Sequence, residues 1–283
     1  MKLTYSTWGM PMLSADDALA CIHRLGYDGV ELTVTNARPF STELSTLHAA
    51  ERKRIRKLLD DYALELPAIA GHTDMMSSDP TTHASNLARL KATVDLALDL
   101  AGPDGVPAVN TTSGGARIEW DNLKDVFVDR LGGLVAYGEQ RGVTIAIEPH
   151  VSSMLDTPGK ALWLLQQINS PHLKLAFDIS HFEVVEGIPM KESVRLLAPH
   201  SAFTHVKDQR GIYPNHEFLI PGEGPFDYVA YLREMQTAGY AGHIGVEVSF
   251  MVQDRPDYDP YAAAELSYRT LSRAFEEVGI ARS

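Results

Sequence analysis

LKLAFDISHF, residues 173–182, joins an apolar run to two polar groups. Leu173, Leu175, Ala176 and Phe177 read as a buried strand, yet the run ends in Asp178 and, three residues on, His181. A carboxylate is seldom fully buried, so at the inner end of a strand Asp178 needs a partner: an arginine, a set of amide donors or a metal ion. Along this strand Leu175 and Phe177 alternate with Ala176 and Asp178, and in VTIAIE (143–148) Ile145 and Ile147 alternate with Thr144, Ala146 and Glu148. The larger apolar side chains are expected to face helices, and the smaller parity, ending in an acid, to point inward.

Working outward, β-rich runs are expected at 3–7, 29–34, 66–72, 106–113, 143–150, 173–181, 202–208 and 243–250. Helical patterns lie between them, at 14–25, about 44–62, 82–100, 121–141, 157–168, 190–198, 226–238 and 260–278, the first with a Ser-x-x-Asp capping signal. Eight strands, each followed by a helix, are the order of a (β/α)8 barrel, the TIM-barrel class of α/β fold. GYDGVEL (26–32) and GYAGHIGVEV (239–248) repeat one unit: a glycine-ended helix, a short turn, and a strand ending in glutamate. No Pro-, Gly- or Ser-rich linker, charge block or low-complexity tract divides the chain, so residues 1–283 are expected to form a single domain.

With 45% hydrophobic residues the chain can build a sizeable core. Its 25 basic and 37 acidic residues give a net charge of −12 with no basic cluster, which argues against a nucleic-acid partner, since phosphate binding relies on a positive field. The single cysteine, Cys21, cannot form an internal bridge and sits in an apolar-periodic helix pattern, as a core residue would. MKLTYSTWGM has no long apolar core, and no later window approaches the roughly 18–20 apolar residues of a membrane span. The expectation is a cytoplasmic protein without a membrane partner.

In such a barrel, function sits at the C-terminal ends of the strands. The fifth to eighth strands end in Glu148, Asp178, His205 and Glu247, all on the inward parity. One acid in such a place can simply cap a helix, pair with Arg210 or Lys207, or face water; four on successive strands make the stronger signal. Three carboxylates and an imidazole crowded together repel one another unless a divalent cation joins them. Oxygen ligands with one nitrogen suit Mn²⁺, and also Mg²⁺ or Co²⁺, better than a thiolate-preferring metal.

These residues resemble the xylose-isomerase-like barrels, the sugar phosphate isomerase/epimerase family that includes ketose 3-epimerases, inosose isomerases and dehydratases, and hydroxypyruvate isomerases. IAIEPH, LAFDISH, THVKD, GEGPFDY and GVEV stand in the family's order over essentially the whole chain. The resemblance implies that Glu148, Asp178, His205 and Glu247 ligate one catalytic metal, and that His181 and the His205–Asp208 stretch bind substrate or adjust the site. It also implies that Glu148 and Glu247 act as acid and base. Lys207 and Asp208, with Arg210 set differently, depart from the ketose 3-epimerase pattern; with His181, His72 and Glu31 they are expected to bind substrate.

A metal chelating a carbonyl and the adjacent hydroxyl stabilises the enediolate left when the neighbouring C–H loses its proton. The substrate class implied is a keto-sugar or polyol, isomerised or epimerised. The same enolate can expel a β-substituent, as in inosose dehydratases and in the 3-keto-glycoside lyases and C-glycoside deglycosidase catalytic subunits the chain also resembles. A homo-oligomer is expected, or a hetero-oligomer with a small subunit under the lyase reading.

His150 shares the parity of Glu148 and is placed just above it, as a neutral base or as an orienting hydrogen-bonder; His72 ends the third strand in the same layer. Glu31 ends the second strand inward, to bind hydroxyls or accept Arg210. Asn110 and Thr112 can satisfy loop amides, Lys207 can neutralise an oxyanion or pair with Asp208, and Trp8 and Phe40 can wall a sugar face. GEGPFDY (222–228) reads as structural, with Glu223 at the rim. Two other classes compete: a three-zinc nuclease of the endonuclease IV kind, which needs more metal histidines and a basic surface, and a binding protein that leaves carbonyl substrates unchanged.

Overall fold

The computed structural model describes residues 1–36, 40, 42–185 and 187–282. Eight parallel strands close into a barrel: β1 (Lys2–Ser6), β2 (Gly29–Thr33), β3 (Glu65–Ala70), β4 (Ala108–Thr112), β5 (Ile145–Glu148), β6 (Leu173–Asp178), β7 (Ser201–Val206) and β10 (His243–Val246). Around the ring the order is β1-β10-β7-β6-β5-β4-β3-β2. The outer layer is α1 (Ala15–Leu25), α2 (Ala49–Asp61), α3 (Pro80–Asp99), α4 (Trp120–Glu139), α5 (Pro158–Ile168), α7 (Met190–Leu197), α8 (Tyr228–Thr237) and α10 (Pro260–Val278). This is the single-domain (β/α)8 barrel that the strand–helix alternation predicts.

Three features go beyond that alternation. Single turns, α6 (Ser180–Glu183) and α9 (Phe250–Gln253), follow β6 and β10, and an antiparallel hairpin of β8 (Asp208–Ile212) and β9 (Asn215–Leu219) follows β7. The seventh strand, expected over 202–208, ends at Val206, and Asp208 opens the hairpin, for which the sequence pattern predicts no strand. Among the described residues no helix is long and apolar enough to cross a membrane.

Five of the eight outer helices start on a side-chain cap. Ser14 accepts from the Asp17 N–H at 3.1 Å, and Asp79, Thr157, Asp227 and Asp259 do the same for α3, α5, α8 and α10. Gly26 ends α1 with φ of 90°, where a side chain would be strained.

The parity argument holds in space. Ile145, Ile147, Leu175 and Phe177 join the large core between strands and helices, whereas Ala108, Ala146 and Ala176 form a separate small cluster. Opposite Ala176 in register stands Phe203, as His205 stands opposite Asp178. A Cβ on Gly245 would lie 2.5 Å from Cζ of Phe203, so glycine makes room for this ring. Phe203 meets the His205 ring edge-on at 5.1 Å, and the acidic layer therefore rests on a filled floor.

The loop after β2 is anchored to α3. Arg89 donates to Glu43 Oε1 at 2.5 Å and to the Val34 carbonyl at 2.9 Å, and the Ser45 N–H donates to Glu43 Oε2 at 2.7 Å. Burial alone would raise the Glu43 carboxyl, but the bonds from Ser45 and Arg89 outweigh it and hold it down to about 2.

Gly245→Ala should lower unfolding stability by about 1–3 kcal/mol through overpacking, with Phe203→Leu in the same chain restoring part of it. Urea denaturation of the two variants checks this. Glu43 gives the acid limb a sign: because its folded value lies below the ordinary 4.5, its contribution is present above pH 4.5 and lost as pH falls towards 2. Glu43→Gln should therefore lose less stability than the unsubstituted chain across that window.

Candidate active site

Glu148 ends β5, Asp178 ends β6, His205 lies one residue inside the end of β7, and Glu247 directly follows β10. All four are buried, and one ligand atom from each lies within 4.8 Å of the others. Donors about 2.1 Å from a shared ion lie up to about 4.2 Å apart, so small side-chain adjustments would close the set on a cation.

Each member is oriented by a neighbour. Asp178 Oδ1 accepts from the Ser180 N–H (2.9 Å) and hydroxyl (2.6 Å), both supplied by α6. Lys207, on the same strand side as His205 and also buried, donates from Nζ to Asp178 Oδ2 and Glu247 Oε2. The His205 Nε2 lies 2.8 Å from Glu31 Oε2, and its Nδ1 3.4 Å from Glu148 Oε1.

The charges divide the carboxylates. Burial would raise Asp178, but Lys207 and then His181 hold it well below the usual carboxylate range; Glu247 is lowered in the same way by Lys207 and His205. Glu148 is raised by burial, against the pull of His205. Burial would lower the Lys207 ammonium and the His205 imidazole, yet Asp178 and Glu247 raise the first and Glu31 and Glu247 the second.

Above this layer is a cavity of about 230 Å³, below the roughly 300–1,000 Å³ of pockets for drug-sized ligands. Glu148, Glu247, Lys207, His150 and His181 form its polar side. Trp8, Phe218 and Phe250 form an apolar wall, with Trp8 stacked on Phe250 at 4.6 Å and tilted against Phe40 at 5.8 Å. His72 reaches the cavity with Nε2 3.6 Å from Glu148 Oε2, and Thr112 completes the lining beside it.

The two histidines at the mouth are held neutral. His150 and His181 pack ring to ring at 3.9 Å; burial pushes His150 down to about 4 and, with the charge of His150, His181 well below its ordinary value. The Ser152 N–H donates to His150 Nδ1 at 3.2 Å, so the hydrogen of the neutral ring sits on Nε2. That tautomer suits a hydrogen-bond donor to a substrate oxygen better than the base expected from sequence.

Three sequence expectations are corrected. Asp208 does not reach the cavity: it opens β8, is fully buried, and accepts from the N–H groups of Gly222 (2.9 Å) and Phe226 (3.0 Å), so it holds the GEGPFDY loop. A Cβ on Gly224 would lie 2.4 Å from Asp208 Oδ1, which explains the glycine there. Arg210 points outward because the hairpin register sets it opposite Glu217, to which its Nε donates at 2.9 Å. Glu31 neither lines the cavity nor meets Arg210; it is fully buried with its carboxylate against His205. Glu223 bonds Arg255 at 2.8 Å.

Phe218 and Phe250 are lining residues that the sequence reading missed. Phe218 belongs to the unassigned hairpin. Phe250 lies three residues past Glu247, and that spacing was a usable signal.

The chain matches the model of the xylose isomerase-like TIM barrel family over residues 19–269, and it belongs to that family. Fructoselysine 3-epimerase of Shigella flexneri is 25% identical over 268 residues, covering 90% of this chain and 93% of that protein. In solved structures the same fold recurs in the IolI protein with a bound zinc atom (TM-score 0.76, 21% identity, 98% of each chain). It recurs too in the probable 3-DHS dehydratase AsbF of Bacillus anthracis (TM-score 0.77, 17% identity, 96% of this chain and 99% of that one).

Asp208→Ala should cost at least about 1.5 kcal/mol of stability, since hydrogen bonds to a charged group are lost and two N–H groups are left buried. Its affinity for a divalent cation should stay within twofold of the unsubstituted chain. Calorimetric titration beside thermal melting separates the two, and lost cation affinity with an unchanged melting curve would reverse the correction.

Proposed function

We propose that this protein is a divalent-metal-dependent isomerase or epimerase of keto-sugars or polyols. The observation that carries the reading is the buried group of Glu148, Asp178, His205 and Glu247 at the floor of a monosaccharide-scale cavity. The donor set fits a cation: with Glu31, four carboxylates face one lysine ammonium and one imidazole, so negative charge is in excess. Mn²⁺ is the first choice, with Mg²⁺ or Co²⁺ as alternatives, and the zinc bound in the IolI structure supports a divalent ion in a barrel of this fold.

When bound, the cation supplies Lewis-acid polarisation of a carbonyl and its neighbouring hydroxyl. Glu148, at the end of β5 and on the cavity lining, takes the proton from the carbon beside the carbonyl. Glu247 moves a proton at the substrate from its own side of the cavity, with Lys207 fixing its carboxylate. His150 and His181 hold substrate oxygens, and Trp8, Phe218 and Phe250 cover the less polar face of the sugar and exclude water. The relationship to fructoselysine 3-epimerase supports proton relocation on a keto-sugar.

Elimination is the second reading. His150, a neutral donor beside the carboxylates, is a group that proton exchange between two glutamates does not require, and it could protonate a leaving oxygen. The experiment is a panel of keto-sugars and keto-glycosides in deuterated water with Mn²⁺. Deuterium should enter the carbon next to the carbonyl with all heavy atoms conserved, and Asp178→Asn should lose both cation binding and exchange. Release of water or of an aglycone would select elimination; no exchange on any carbonyl substrate by the cation-loaded chain would refute both.

A further inference from the structure

Glu31 is a fully buried acid outside the lining of the active-site cavity, and a carboxylate without solvent is costly unless its bonds repay the burial. Those bonds converge on one neighbour. Oε2 lies 2.8 Å from Nε2 of His205, across the bore from β2 to β7, and both side chains are fully buried. Oε1 accepts from Asn110 Nδ2 at 3.2 Å, and Ser6, paired with Glu31 in register, bonds the same carboxylate. The Ser6 oxygen is itself fixed by the Trp8 N–H at 3.3 Å. The carboxylate is thus clamped by β1 and β4 and aimed at a single imidazole nitrogen.

We infer that Glu31 is a positioning residue for the cation site: it holds the hydrogen of His205 on Nε2 and so presents the Nδ1 lone pair to the ion. An ionised carboxylate only accepts, so the nitrogen it faces must carry the hydrogen. The other nitrogen, Nδ1, is the one turned towards Glu148 and the rest of the ligand set. A carboxylate behind a ligating imidazole also makes that imidazole a stronger donor to the metal.

This inference rests on the proposed cation site, and the test separates the two. Zn²⁺ is the probe, with affinity read by competition against a chromophoric chelator and the His205 tautomer by ¹⁵N–¹H correlation of histidine-labelled, zinc-loaded protein. In the unsubstituted chain His205 should show hydrogen on Nε2 and zinc on Nδ1. Glu31→Gln should weaken Zn²⁺ binding about 10- to 100-fold. Asn110→Ala, which removes one clamp and keeps the carboxylate, should weaken it less and keep the tautomer. Zinc on Nε2, or a Glu31→Gln affinity within twofold of the unsubstituted chain, would overturn the inference while leaving the site standing. Failure of the unsubstituted chain to take up Zn²⁺ would overturn the site and the inference together. The tautomer reading needs no variant, so a Glu31→Gln chain that does not fold leaves a decisive measurement.

Discussion

Concentrated negative charge inside the barrel is the constraint on which the rest of the structure depends. Glu31, Glu148, Asp178 and Glu247 project into the bore, where water screens little and like charges repel strongly. Lys207 and His205 offset part of that repulsion, and each takes two acidic partners. The fold stores this arrangement because the strands that carry it are held from outside by Ile145, Ile147, Leu175 and Phe177 against the helices. Hydrophobic burial on the outer face thus sustains an unfavourable charge density on the inner one.

The division of labour between the strand faces was legible in the sequence. Alternation in VTIAIE and LKLAFD distinguished outward from inward side chains, and it placed Glu148 and Asp178 in the same layer as His205 and Glu247. Closure of the barrel followed from eight alternations of strand and helix, with the glycine-ended turn repeated at GYDGVEL and GYAGHIGVEV. These are short-range signals, written within a few residues of where they act.

Long-range partnerships were not legible. Asp208 follows His205 and Lys207 in a run of polar residues, and nothing local distinguishes a cavity residue from one that binds the amides of Gly222 and Phe226. The hairpin itself, DQRGIYPNHEFLI, lacks the apolar alternation of a half-buried strand because most of it faces solvent. Glu31 looked like a member of the mouth because its inward parity near the end of the run resembles that of Glu247, whereas in the structure it is the middle residue of β2. Its depth depends on His205, 174 residues away, and on Asn110, 79 residues away.

The β8–β9 hairpin joins two otherwise separate regions. Its first residue secures the loop leading to α8, its outer edge is closed by Arg210 and Glu217, and its return strand delivers Phe218 to the cavity wall. Glu148, Asp178, His205 and Glu247 lie on barrel strands or directly after one, so the hairpin is separate from the strands that carry them. Changing its length or its return strand would therefore reshape the cavity wall at Phe218 and leave Glu148, Asp178, His205 and Glu247 where the barrel strands hold them.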